Sequence, residues 1–468
     1  MKQLLFMIGL ELIGTVGMLF AGPIVAVVVY YFLAVARPQY LWAWTLPRVQ
    51  WSNYPVGAAL VGLVGQHFGL FPLGGRPKEP FLGLNANHLT FLVFASWIVV
   101  TYFMALDREV AWRWFLEYLT IFLMFIVSVI VIRTMDHAWV LYLATTVPLL
   151  YLSYHVNSLY LFDGRLDIFH RGLGGIDNNG AGLMLAMGVP LAIGAWECTR
   201  KWWRWGFVLS IPLILHAVLI SYSRGAMLAL LACVPVLIFR STRRWQFLVV
   251  VVMLASLIPT LAGREIRARF FTLTDYTEDQ SARSRFDSWG AAIAIANDYP
   301  IFGVGIRNAN LLSYDYGADM VGRTIHSQFL QILADAGYVG LSLYLCMLLT
   351  FFYGVWRARR TLRGRADPMA RQLRGMANGL EAALVVFCVG GLFLSLEVFE
   401  LPYLILLQGA QIALLATRLP APAEASTPQH EGQPAYAAYQ PFSAARVGLR
   451  RTALSGEGGN SPSRQAAR

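Results

Sequence analysis

Uncharged apolar runs of near-membrane length recur from the amino terminus to about residue 418, and no other feature constrains the fold as tightly. The stretches Ile121 to Ile132 and Phe247 to Leu261 contain no ionisable residue. A spanning helix needs about 20 mostly apolar residues, a length that several runs reach with their flanking aromatics. Spans are expected near 4–20, 24–36, 54–72, 88–105, 115–133, 138–153, 181–196, 205–221, 226–239, 246–262, 328–353, 379–397 and 401–417, or about 12–13 in all. The first two read as a tight hairpin broken at Gly22 and Pro23. The expected fold class is all-α, a polytopic integral membrane protein. Composition agrees: 57% hydrophobic residues, 13% charged residues and a mean hydropathy of +0.54, against about 45–50% apolar and 25% charged in soluble domains.

The formal charge of +11 does not point to nucleic acid, because the arginines gather in short loops between spans. That asymmetry marks the cytoplasmic side. Arg200–Arg204, Arg240–Arg244 and the segment bearing Arg357, Arg359, Arg360, Arg363, Arg365, Arg371 and Arg374, opposed only by Asp367, are the basic loops. Counting spans from them places Asn157–Gly180, Tyr222–Gly225 and Gly263–Ile325 together on the opposite face. By the same count the amino terminus lies outside. The chain divides into a transmembrane domain over 1–418, with the large loop 263–325 inside it, and a tail over 419–468. That tail is rich in Ala, Pro, Ser, Gly and Gln and reads as disordered and cytoplasmic. The four cysteines show no CxxC spacing, so neither a disulfide framework nor a zinc site is indicated. The first apolar stretch lacks a small-x-small cleavage site and runs on into further apolar sequence, which makes it a retained span. No internal repeat is evident.

A connection as long as 263–325 is usually functional. Within it, Phe286, Trp289, Ala292, Ile293 and Ala296 recur at helical spacing, predicting an amphipathic helix over 282–297 that lies at the membrane surface or packs on the bundle. Asn297 to Pro300 ends it, and Gly303-Val304-Gly305 makes a turn. Arg224 sits between two long apolar runs that offer no carboxylate partner. An arginine there either snorkels to headgroups or clamps a phosphate, for which the planar guanidinium is suited. His326 opens a helical segment for which Ser327 is the candidate N-cap; an imidazole at a span mouth is either held by local backbone groups or free to act as a general base. Asn178, in the Asp177–Gly180 turn, belongs either to a helix cap or to a substrate site. Arg171, Arg307 and Arg323 are outer-face arginines able to hold an anionic substrate or simply to face solvent. No HExxH, paired-aspartate or phosphate-loop motif is present, so neither a metal nor a nucleotide cofactor is called for.

Ser221 to Ala226, Ser284 to Trp289, Tyr299 to Gly305 and His326 to Gly337 occur in an order that resembles the O-antigen ligase and polymerase superfamily, the Wzy-C family. The likeness covers about Ile176 to Leu345. Asp177-Asn178-Asn179 and Asp275 to Asp279 are also similar to the exosortase-associated O-glycosylation ligases, although Gly180 stands where that subgroup carries an acidic residue. The resemblance implies an inverting glycosyltransferase of the bacterial inner membrane that works at the periplasmic face without metal. Its partners would be a polyprenyl-pyrophosphate-linked glycan donor, a glycan, lipid or protein acceptor, and membrane lipids. It implies that Arg224 and Arg285 bind the pyrophosphate and that His326 deprotonates the acceptor hydroxyl. A repeat-unit polymerase differs only in its acceptor. A transporter of lipid-linked glycan would instead need broken helices and charges near mid-membrane.

Overall fold

The computed structural model describes residues 1–419 apart from 48, 71–78, 165–166, 241–243, 245–279 and 397. Its elements are helices: α1 Lys2–Ala21, α2 Ile24–Ala36, α3 Pro38–Leu41, α4 Asn53–Phe68, α5 Ala86–Phe103, α6 Arg108–Val131, α7 Met135–Asp163, α8 Asp167–Arg171, α9 Asn178–Cys198, α10 Arg204–Ile220, α11 Arg224–Arg240, α12 Gln280–Asp298, α13 Asn308–Leu312, α14 Gln328–Thr361, α15 Pro368–Gly390 and α16 Glu400–Arg418. Nine of the described helices are long and apolar enough to cross a membrane: α1, α2 with α3, α5, α6, α7, α9, α14, α15 and α16. The chain is an all-α polytopic membrane protein. The expected span over 246–262, the tail and the 275–279 motif lie outside the described residues.

Local chemistry sets the helix starts. Asp107, Thr134, Asp177, Ser327 and Asp367 each accept a backbone N–H of the first turn, and Asn85 forms a reciprocal capping box with His88. The centre of the bundle is α9, whose spanning window is 83% buried against 22% for the peripheral α1. Its Gly- and Ala-rich sequence lets α15 and α10 pack closely, and the buried Tyr142 hydroxyl donates to Leu191 O at 2.8 Å.

Hydrogen bonds sort the connections into two groups. One end joins Asn178 to Ser221, Trp289 to His326, Asn308 to Asp107 and Ser327 to Ser395. The opposite end joins Cys198 to Gln372, Glu197 to Asn378, and Arg374 to the carbonyls of Leu362 and Arg365. There Glu381, 8% exposed, takes two arginines. Arg240 donates from Nε to Oε2 at 2.9 Å and from Nη2 to Oε1 at 3.0 Å, and Arg359 donates from Nη1 to Oε1 at 3.0 Å and from Nη2 to Oε2.

The described part of the large connection is folded. Val304, Ala309, Ile325, Ala292, Ile295 and Ala334 form a small core of their own. The carboxylate of Asp335 on α14 accepts from Arg307 N at 2.8 Å, Ala309 N at 3.0 Å and Gln331 Nε2 at 2.9 Å. Val304 N and Gly305 N donate to the carbonyls of Ala334 and Asp335, where α14 bends at Gly337, φ +71°. A Cβ on Gly303 would come 2.4 Å from the Asp335 carbonyl carbon, and one on Gly337 would come 2.2 Å from Ile301 O.

Candidate functional site

Two buried serines build the turn between α10 and α11. Ser221 Oγ donates to Val218 O at 2.7 Å, and Ser223 Oγ accepts from Ala226 N at 3.3 Å. Tyr222 between them holds a positive φ of 55°. The turn thus satisfies its own polar groups and presents half-buried Arg224 as the first residue of α11. Asn178 Nδ2 donates to Ser221 O at 3.1 Å, so the start of α9 is fastened to this turn, and Asp177 caps α9 through Gly180 N at 2.8 Å.

The amphipathic helix exists, as α12, and packs on α14. Its inward face keeps Ala292 and Ala296 of the expected set and adds two serines. Ser284, Ser288, Ala291, Ala292, Ile295 and Ala296 are buried, whereas Phe286 is 58% and Ile293 44% exposed. Small side chains win the inner face because they admit α12 close enough for polar contacts. Ser288 Oγ donates to Ile325 O at 3.0 Å and Trp289 Nε1 to His326 O at 3.4 Å. Arg285, half-buried, lies one turn before them.

His326 precedes α14, with φ +55°. Beyond it the chain is pinned to the far end of α15: Gln328 N donates to Gly391 O at 2.7 Å, Leu396 N to Gln328 Oε1 at 2.7 Å, and Ser327 N to Ser395 Oγ at 3.2 Å. Ser327 also caps α14, as expected, through Leu330 N at 3.5 Å. Among the described residues the imidazole itself makes no hydrogen bond, so local backbone groups do not explain it. Burial pushes its pKa down to about 4; Arg285 and Arg323 push the same way, while Asp177 and Asp319 oppose them. His326 is therefore neutral at ordinary pH and has a vacant lone pair.

These interactions gather Arg285, Arg323, His326 and Asp177 at one place, with Asn178 and Arg224 joined through the Ser221 turn. Neither Arg224 nor Arg285 is without a partner. Arg323 pairs with Asp319 at 3.1 Å, a neighbour that spacing alone did not single out. Arg171 is exposed at the end of α8, two residues beyond Phe169, whose ring meets Tyr222 at 5.2 Å. Arg307 stands apart: its guanidinium lies 4.7 Å over the Trp114 ring of α6, and its backbone is held by Asp335. The 391–396 segment that seats the start of α14 was not anticipated, for its contacts are main-chain atoms of Gly391 and Leu396 and the one hydroxyl of Ser395, which carry no distinctive signature. Among the described residues no three His, Cys, Asp or Glu side chains gather as a metal site would.

The arrangement joins a neutral base to a cluster of guanidinium groups at a helix start, which suits proton abstraction beside a bound anion. The chain matches no curated protein sequence. Residues 207–345, which carry Arg224, Arg285 and His326, match the family model described as O-antigen ligase.

Proposed function

We propose that the protein transfers a glycan from a polyprenyl-pyrophosphate carrier to an acceptor hydroxyl at the periplasmic face of the bacterial inner membrane. The neutral, half-buried His326 beside Arg285, inside the family-matching segment, carries this reading. The acceptor O–H gives its proton to the imidazole while its oxygen forms a bond to the anomeric carbon. The bond from that carbon to the pyrophosphate oxygen breaks, and the electron pair leaves on the pyrophosphate, which Arg224 and Arg285 hold. Attack opposite the leaving group inverts the anomeric configuration. Guanidinium groups aimed at charge developing on the leaving group lower the barrier, and the base activates a weak nucleophile. Arg171, Asn178 and Arg323 line the approach to the same place.

The test incubates purified protein with a lipid-linked glycan and candidate acceptors, and identifies the product by mass spectrometry. Transfer with release of polyprenyl pyrophosphate is expected from the wild type and is lost in Arg224→Ala and Arg285→Ala; lysine at either position rescues poorly, since it lacks the planar fork. Full activity in both alanine variants would remove the pyrophosphate clamp.

A further inference from the structure

A second group of charged side chains lies at the same end of the bundle, outside the cluster around His326. Glu117 of α6 sits within electrostatic reach of Arg37, Arg113 and Arg307, and Glu400, the first residue of α16, within reach of Arg37 and Glu117. Arg37, Glu117, Arg307 and Glu400 are all half-buried. The fully buried Tyr30 donates its hydroxyl to the Glu400 carboxylate. Arg37 extends over Tyr40, 5.2 Å from the ring centroid, and Tyr40 is 48% exposed. Among the described residues, neither the Arg37 guanidinium nor the Glu117 carboxylate makes a side-chain hydrogen bond or an ion pair. Opposite charges that face one another in a partly buried place without closing are costly unless something sits between them.

The backbone singles out the same place. Among the described residues four non-glycine positions hold a positive φ: Tyr222 and His326 in the first cluster, Arg37 and Arg307 in the second. Such conformations are uncommon and gather where function requires them. Two links join the clusters. Asp335 of α14, the helix that follows His326, holds the Arg307 backbone. The loop that ends in Asp177 lies with Gly174 against the Arg37 side chain.

Resting on the transferase reading above, we propose that this second cluster is the acceptor subsite and that its occupant is a saccharide. Carboxylates at Glu117 and Glu400 accept hydrogen bonds from sugar hydroxyls, Arg37 and Arg307 donate to sugar oxygens, and the exposed Tyr40 ring offers a stacking face. Donors and acceptors on neighbouring half-buried side chains match a ring that bears a hydroxyl on nearly every carbon. A peptide acceptor would be read along its main chain, and no strand edge for it exists among the described residues.

The test measures transfer by the full-length protein to methyl glycosides of hexoses and N-acetylhexosamines and, in parallel, to a Ser/Thr-containing peptide. Direct glycoside binding is followed calorimetrically without donor. For Arg37→Gln and Glu117→Gln the acceptor KM rises about ten- to a hundredfold, the weight of one charge-assisted hydrogen bond. The donor KM and the thermal midpoint stay at wild-type values. Unchanged acceptor KM in both variants, with or without a fall in thermal midpoint, assigns the pair to packing and overturns the subsite. Use of the peptide but of no glycoside overturns it too. A glycoside that binds the wild type and not the variants, with no transfer by any form, leaves the subsite standing and removes the transferase reading instead.

Discussion

At one end of the bundle Arg240 and Arg359 close on a single carboxylate, Glu381; at the other, Arg285 and Arg323 face an imidazole that burial keeps neutral. Both ends hold half-buried guanidinium groups, so burial alone does not tell them apart. The difference lies in how charge is balanced. Glu381 faces its two arginines with a full set of oxygen–nitrogen contacts, tying α11, α14 and α15 together. Around His326 the two arginines outweigh the two aspartates in their effect on the imidazole, and Arg323 pairs with Asp319. The first arrangement is complete within the chain. At the imidazole of the second the positive groups prevail, a field that suits an anion.

The sharpest way to break this comparison is His326→Ala. Loss of a general base lowers the chemical step about 10²- to 10⁴-fold, and single-turnover transfer at saturating donor reads it; donor binding stays as in wild type. The wild-type rate should fall as pH drops through the imidazole pKa, because the protonated ring accepts no proton. For the free enzyme, read in kcat/KM, that acid limb lies near pH 4. A bound pyrophosphate offsets Arg285 and Arg323, so the limb of kcat lies at higher pH. A variant that keeps both rate and limb would leave His326 as a helix-start residue. Glu381→Ala is expected to act on the opposite quantity. It strands two arginines and destabilises the fold by about 3 kcal/mol, the low end for a broken buried pair because Arg240 is 36% exposed. Turnover per folded molecule should be unchanged, and a loss of rate as deep as that of His326→Ala would erase the distinction between the ends. The smallest effect belongs to Asp319→Asn. It removes a charge that holds the His326 pKa up and releases Arg323, so the acid limb should move to lower pH at an unaltered plateau. A shift to higher pH would contradict the charge balance.

Much of this was legible in the sequence. Nine of the expected spans, α12, the Ser327 cap and the ordered Arg224, Arg285 and His326 motifs follow from local apolar runs, helical spacing and cap chemistry, whereas α4, α10 and α11, at the expected spans near 54–72, 205–221 and 226–239, are not among the nine. What escaped is non-local. Glu381 meets Arg240 across 141 positions, and nothing in the basic segment around Arg371 and Arg374 marks that partner. The same arginines interrupt the apolar pattern, which is why the expected span begins near 379 although the helix, capped by Asp367, starts at Pro368. Arg307 read as a donor-binding arginine because it lies in the right loop, yet its backbone is set by the Asp335 carboxylate, which turns the guanidinium to Trp114. The Ser284 and Ser288 side of α12 was not singled out because apolar spacing was weighed above the room that small residues leave for contact.

The meeting of Gly303 with Gly337 bears on how such proteins are inherited and recombined. Each lacks a side chain where the other's neighbourhood leaves no room for one, at positive φ on both sides. A side chain introduced at either position cannot be relieved by trimming the other, because the obstacle in both cases is main chain. The 299–309 loop and the 334–338 bend therefore form a single heritable piece. A chimaera that takes this loop from one relative and the bend from another should fail to assemble, even where every individual residue is tolerated in its own background.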